Sequence, residues 1–173
     1  MSFIKKFFHK KGSDYQTDIR AAASGAGAPD AEFLPPLAGR IVPITEVPDP
    51  VFSQKIMGDG FAVIPQSDMV RSPVDGQVIH IFPTRHAIAL RSSGGRELLI
   101  HIGLNTVSLK GEGFTMLVKE GERVKKGERL LKADFSLIAK RVPSTITSVV
   151  FTNLKKGEKV VIQGSRISIK NDH

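Results

Sequence analysis

Residues 84–103 read Thr84-Arg85-His86-Ala87-Ile88-Ala89-Leu90, then Arg91-Ser92-Ser93-Gly94-Gly95-Arg96, then Glu97-Leu98-Leu99-Ile100-His101-Ile102-Gly103. Two apolar runs flank a short polar stretch with paired glycines, which is the pattern of a β-hairpin. A two-residue turn centred on Ser93-Gly94 would oppose Ser92 to Gly95 and, carried down the ladder, His86 to His101. The two imidazoles would then share one side of the sheet, with Cβ atoms about 5 Å apart. Ile88 and Leu99 would lie on that same side. A slip of one residue would send the histidines to opposite faces. This register also sets Arg91 against Arg96, a small like-charge cost.

The texture of the hairpin extends along the chain. Short runs at residues 39–44, 61–64, 77–82, 87–90, 98–102, 149–152, 160–163 and 167–170 are separated by Gly, Pro, Asp or Ser. This rhythm predicts an all-β domain, a compact antiparallel sandwich or barrel-like body. Only residues 51–55 and 134–140 suit a helical turn. Pro36-Leu37-Ala38-Gly39-Arg40-Ile41-Val42 and Pro73-Val74-Asp75-Gly76-Gln77-Val78-Ile79 repeat one pattern 37 residues apart. A glycine able to take φ > 0 before a β-branched run predicts a duplicated strand-turn-strand unit. Lys119-Glu120-Gly121-Glu122, Lys126-Gly127-Glu128 and Lys156-Gly157-Glu158 read as charged turns with glycine at the bend, structural in role.

Composition bounds the function. A chain of 173 residues holds one domain with a real core and a short appendage. It has no cysteine, which excludes a disulfide scaffold, a thiol nucleophile and any thiolate metal site. No apolar run approaches the roughly 20 residues of a membrane span, and the N-terminus is too charged for a secretory signal. The expected location is the cytoplasm. The net charge is +8, but the cations are scattered, aromatic residues are few and no nucleic-acid-binding signature accompanies them. Nucleic acid is not an expected partner.

The chain divides near residue 32. Residues 1–32 form an N-terminal segment and linker, and residues 33–173 form the domain. In a helix, Phe3, Ile4, Phe7 and Phe8 would gather on one side, flanked by Lys5, Lys6, Lys10 and Lys11. Such a segment suits the headgroup region of an anionic bilayer, making residues 1–12 a candidate contact to the inner face of the cell membrane. Residues 18–32 have the small, flexible composition of a linker.

His9 and His173 lie in the tails, and His80 reads as a packed or surface strand residue. His86 and His101 are the informative pair. Two facing imidazoles admit three readings. They could be a satisfied core pair or two ligands of a metal, although a zinc site needs three or four. Otherwise one ring is a nucleophile that holds a labile phosphoryl group while the other supports it.

The sequence 98–107, Leu-Leu-Ile-His-Ile-Gly-Leu-Asn-Thr-Val, followed by Leu109-Lys110-Gly111-Glu112-Gly113-Phe114, resembles the phosphorylation-site signature of glucose-type enzyme IIA of the phosphoenolpyruvate-dependent sugar phosphotransferase system. Val47-Pro48-Asp49-Pro50-Val51-Phe52, Lys55-Ile56-Met57-Gly58-Asp59-Gly60, Pro73-Val74-Asp75-Gly76, Thr84-Arg85-His86-Ala87 and Ser144-Thr145-Ile146-Thr147 are similar to the same family. The resemblance spans roughly residues 33–170.

It implies that His101 is the phosphorylated nucleophile, loaded by phosphohistidine of the carrier HPr and discharged to a cysteine of an EIIB domain of a sugar permease. It implies that His86 supports the phosphorylated form and that Thr84 orients a histidine. Val51, Phe52 and Ile56 would form an apolar docking rim. Asp49 is retained as an acidic docking position, while Asn105 stands where members commonly carry Asp. No cofactor or metal is implied, though His86 and His101 are candidate incidental zinc ligands.

Two rivals have less support, and a third stands as the alternative. A biotinyl-lipoyl carrier needs a lysine where Met69-Val70-Arg71 has none. A zinc hydrolase needs ligand sets that are absent. A regulatory protein of the same fold, read by its phosphorylation state, is compatible with phosphotransfer.

Overall fold

The computed structural model describes residues 32–172. The candidate membrane segment and nearly all of the linker therefore lie outside the described residues. Strands run β1 Gly39–Pro43, β2 Gly60–Pro65, β3 Met69–Arg71, β4 Gly76–Ile81, β5 Ala87–Ser92, β6 Glu97–Leu104, β7 Phe114–Met116, β8 Arg123–Val124, β9 Arg129–Ala133, β10 Ser144–Phe151, β11 Glu158–Gln163 and β12 Arg166–Asn171. Seven of them form one sheet in the order β1-β2-β10-β6-β5-β4-β8. Strands β3-β9-β7 make a second sheet, and β11-β12 a hairpin. All pairings are antiparallel. The protein is thus an all-β sandwich.

Every apolar run expected to be extended lies wholly or largely in a strand. Strands β3, β7, β8 and β9 went unread because they are short or carry charged residues outward. The two helical turns are α1, Pro50–Ser53, and α2, Phe135–Ala139. Asp49 and Asp134 cap them, accepting from the N–H of Val51 and Leu137.

The large sheet has two apolar faces. On one, Ile88, Leu90, Leu98, Ile100 and Ile102 pack against Val70, Phe114, Leu131 and Ala133 of the small sheet. On the other, Ala62, Ala87, Ala89, Leu99 and Val150 are covered by Ile44, Val47, Phe52 and Met57. Ile88 therefore does not share a face with Leu99, contrary to expectation.

The reason is the hairpin register, which is one residue from the expected one. Ala87 pairs with His101, Ala89 with Leu99 and Arg91 with Glu97. The turn holds three residues, closed by Ser92 N–H donating to the Arg96 carbonyl at 2.8 Å, with Gly95 left-handed at φ +90°. Electrostatics favours this register, since Arg91 meets Glu97 at 2.8 Å instead of facing Arg96.

The repeated Pro-x-x-Gly unit does open two equivalent strands, β1 and β4. Gly39 takes a positive φ of +156°, as expected, but both glycines also serve a second purpose. Gly76 has no left-handed φ. A Cβ there would lie 2.0 Å from the carbonyl oxygen of Arg91, and one on Gly39 would lie 2.1 Å from that of Ile64. The neighbouring backbone comes too close for any side chain. Gly76→Ala is expected to cost on the order of 3 kcal/mol, read as a lowered urea midpoint with unchanged m-value.

The charged turns are structural, as expected. In each, a glutamate accepts the N–H three residues earlier: Glu122 from Lys119, Glu128 from Lys125 and Glu158 from Lys155. The glycine before that glutamate takes φ near +85° each time.

Candidate active site

His101 sits on β6 with its side chain on the face covered by α1. Its neighbours across the ladder are Ala87 of β5 and Ser148 of β10. Small residues at those positions leave room for a ring. Phe52 of α1 is buried and packs its ring at 5.1 Å from the imidazole, between ring centroids. The Nδ1–H of His101 donates to the Gly103 carbonyl at 2.9 Å. A carbonyl only accepts, so this bond fixes the tautomer and leaves Nε2 as the free lone pair.

With Ala87 opposite His101, strict alternation would turn His86 away from it. The two rings nevertheless meet edge to face, with centroids 5.0 Å apart and planes at 79°. Regular pairing ends at Ala87, and Arg85 is left-handed at φ 57°. His86 is therefore positioned by a bend rather than by the pleat. Its carbonyl still accepts from Ile102 N–H at 2.8 Å. The Thr84 hydroxyl lies 2.5 Å from its Nδ1. Phe82 packs at 5.7 Å from its ring and at 4.8 Å from His80, which pairs with Glu120 at 2.7 Å.

Both histidines are electrically quiet. Burial, and then the neighbouring His101, lowers the pKa of His86 from 6.5 to about 4. Burial also lowers that of His101, opposed by the Gly103 hydrogen bond and the Asp49 charge. At neutral pH both rings are uncharged. Unfolding restores His86 to its ordinary value, so between pH 6.5 and 4 the unfolded chain binds the extra proton. Stability should fall as pH drops through that window, by up to about 3 kcal/mol from this group. Denaturant melts between pH 6.5 and 4 should show wild type losing more stability on acidification than His86→Gln.

The remaining expected residues are partly rearranged. Val51 and Ile56 are exposed, at 37% and 61%, and suit a rim. Phe52 is not rim: it is buried behind His101. Asn105 is left-handed at φ 60° and exposed, opening a 3-10 helix over Thr106–Leu109. Its amide side chain suits that conformation, a backbone reason for the residue that charge reasoning missed. Sequence reasoning also missed the Gly103 carbonyl and exposed Val107 on the same 3-10 helix. A glycine two residues after a strand histidine was their only signal. No cluster of three or more metal-ligating side chains occurs among the described residues.

Comparison with known proteins identifies the family. The solved glucose permease IIA from Mycoplasma capricolum superposes with a TM-score of 0.73 at 39% identity, covering 80% of this chain and 94% of that one. A glucose-specific EIIA component from Halalkalibacterium halodurans is 48% identical over 136 residues, 78% of this chain and 79% of the relative. A glucosamine-specific EIICBA component from Bacillus subtilis is 48% identical over 134 residues, where this chain spans 21% of that longer protein. Residues 31–157 match the family described as phosphoenolpyruvate-dependent sugar phosphotransferase system, EIIA 1.

The fold is thus that of an EIIA-type β-sandwich, a transferase component. The chain belongs to the phosphotransferase-system EIIA 1 family, and its function is that of a phosphocarrier in sugar uptake.

Proposed function

We propose that His101 carries the phosphoryl group on Nε2, taking it from phosphohistidine of HPr and giving it to a cysteine of an EIIB domain. In the first transfer the donor's P–N bond breaks as the bond to Nε2 forms, the electron pair returning to the donor imidazole. In the second the P–N bond breaks as a P–S bond forms from the cysteine thiolate, the electron pair returning to Nε2 of His101. The observation that supports this most directly is the His101–Gly103 bond, which presents an unprotonated Nε2 without requiring a charged ring.

His86 is the supporting group. With Thr84 donating to its Nδ1, the proton of the neutral ring resides on Nε2, where it donates to a phosphoryl oxygen. Val51, Ile56 and Val107 give the partner an apolar landing surface, and Asp49 adds a negative charge beside it. Relatives whose names join EIIA to EIIC and EIIB support a sugar permease as the acceptor. Residues 1–12 serve as the membrane-surface contact. Among the described residues no helix is long and apolar enough to cross a bilayer.

The test is mass spectrometry under alkaline conditions after incubation with phosphoenolpyruvate, enzyme I and HPr. One phosphate on the peptide holding His101 is expected. Phosphate confined to any other residue would overturn the assignment.

A further inference from the structure

Five of the cations outside the ion pairs lie together on the small sheet and the turn that feeds it. Arg71, Lys125, Lys126, Arg129 and Lys132 are all exposed. None of them joins the ion pairs formed among the described residues. They lie on β3, on β9 and on the turn between β8 and β9. Arg71 pairs across the ladder with Arg129, and Met69 with Lys132. Arg71 Nη1 donates to the Gly127 carbonyl at 3.2 Å, tying the turn to the strands.

The neighbouring acids are held against the backbone, two of them on the turn itself. Asp68, Asp75 and Glu128 turn a carboxylate oxygen onto the N–H of Phe135, Lys126 and Lys125 respectively. Short acidic side chains are thus folded against the backbone while long cationic ones project. Two leucines stand out with them. Leu34 is 43% exposed and Leu117 49%. Leu34 approaches Gly127, and the N–H of Leu117 donates to the Leu130 carbonyl of β9.

Two further facts give this face a meaning. The small sheet covers the side of the large sheet opposite to His101, so its outer surface and the histidines lie on opposite sides of the sandwich. The Glu32 carbonyl also accepts from Lys126 Nζ at 2.7 Å. Glu32, where the described residues begin, therefore lies beside these cations.

We propose that the outer face of the β3-β9-β7 sheet is a second membrane contact, resting on the phosphates of anionic phospholipids. Cations near such a surface attract it, and protruding leucines enter the headgroup boundary. Docked this way, the body presents its histidine pair away from the bilayer, open to protein partners. The proposal deepens the membrane reading of residues 1–12 and is independent of the phosphotransfer assignment.

The test is sedimentation of the full chain with equimolar phosphatidylglycerol–phosphatidylcholine vesicles at low salt. Each surface cation contributes about fivefold to binding. Arg129→Gln with Lys132→Gln should therefore weaken binding about 20-fold, at unchanged melting temperature and unchanged phosphorylation by HPr. Lys155→Gln with Lys156→Gln, an equal loss of charge on another turn, should change it less than about twofold.

The same ratio should hold in a chain carrying Phe7→Ser and Phe8→Ser. That pair of changes tests the N-terminal segment alone, so the two contacts fail separately. Equal effects of the two glutamine pairs would overturn the proposal. So would equal binding to pure phosphatidylcholine, or loss of binding to an RNA probe with vesicle affinity intact.

Discussion

His101→Ala should fold normally and take up no phosphate from HPr, with labelling at background, because the nitrogen that forms the P–N bond is gone. The fold should survive because the ring contributes one packed face, against Phe52, and one backbone hydrogen bond. His86 should not replace it. Its Nδ1 is engaged by Thr84, and in the proposed tautomer its other nitrogen holds the proton, so no lone pair faces the partner. A neighbouring neutral ring also fails to rescue the geometry, since the incoming phosphorus must be in line with a nitrogen about 3 Å away. Quantitative labelling of His101→Ala would reject the assignment, whatever its stability.

His86→Gln should separate acceptance from delivery. Gln retains an N–H donor but lacks the imidazole held in place by Thr84, Phe82 and the bend at Arg85. Phosphate should still load onto His101, while transfer to the EIIB cysteine slows by about a hundredfold, the typical cost of one misplaced donor. Thr84→Val should give the same pattern more weakly, because it frees the tautomer without removing the ring. Rapid-quench measurement of both half-reactions checks the pair. Wild-type delivery by His86→Gln would reduce His86 to a packing residue.

The all-β class was legible because strand-length apolar runs and glycine punctuation are local signals. The register was not. Ser93-Gly94-Gly95 admits both a two-residue and a three-residue turn, and the choice rests on Arg91 finding Glu97 across the ladder. Pairing His86 directly with His101 assumed an unbroken strand. The rings meet instead because Arg85 breaks the alternation, which no periodicity reveals. Likewise the glycines of the repeated unit advertised a turn, whereas the constraint is a carbonyl on the next strand. Such contacts depend on the tertiary approach of distant backbones, and a single sequence carries little trace of them.

The two imidazoles are mounted differently. His101 is bolted to a central strand with neighbours on both sides, so its position is as rigid as the sheet. His86 hangs from a short arm whose shape rests on Thr84 and on an unfavourable backbone angle at Arg85. One side of the pair is thus fixed by the sheet and the other by a bend, tied back to β6 only through the His86 carbonyl and Ile102 N–H.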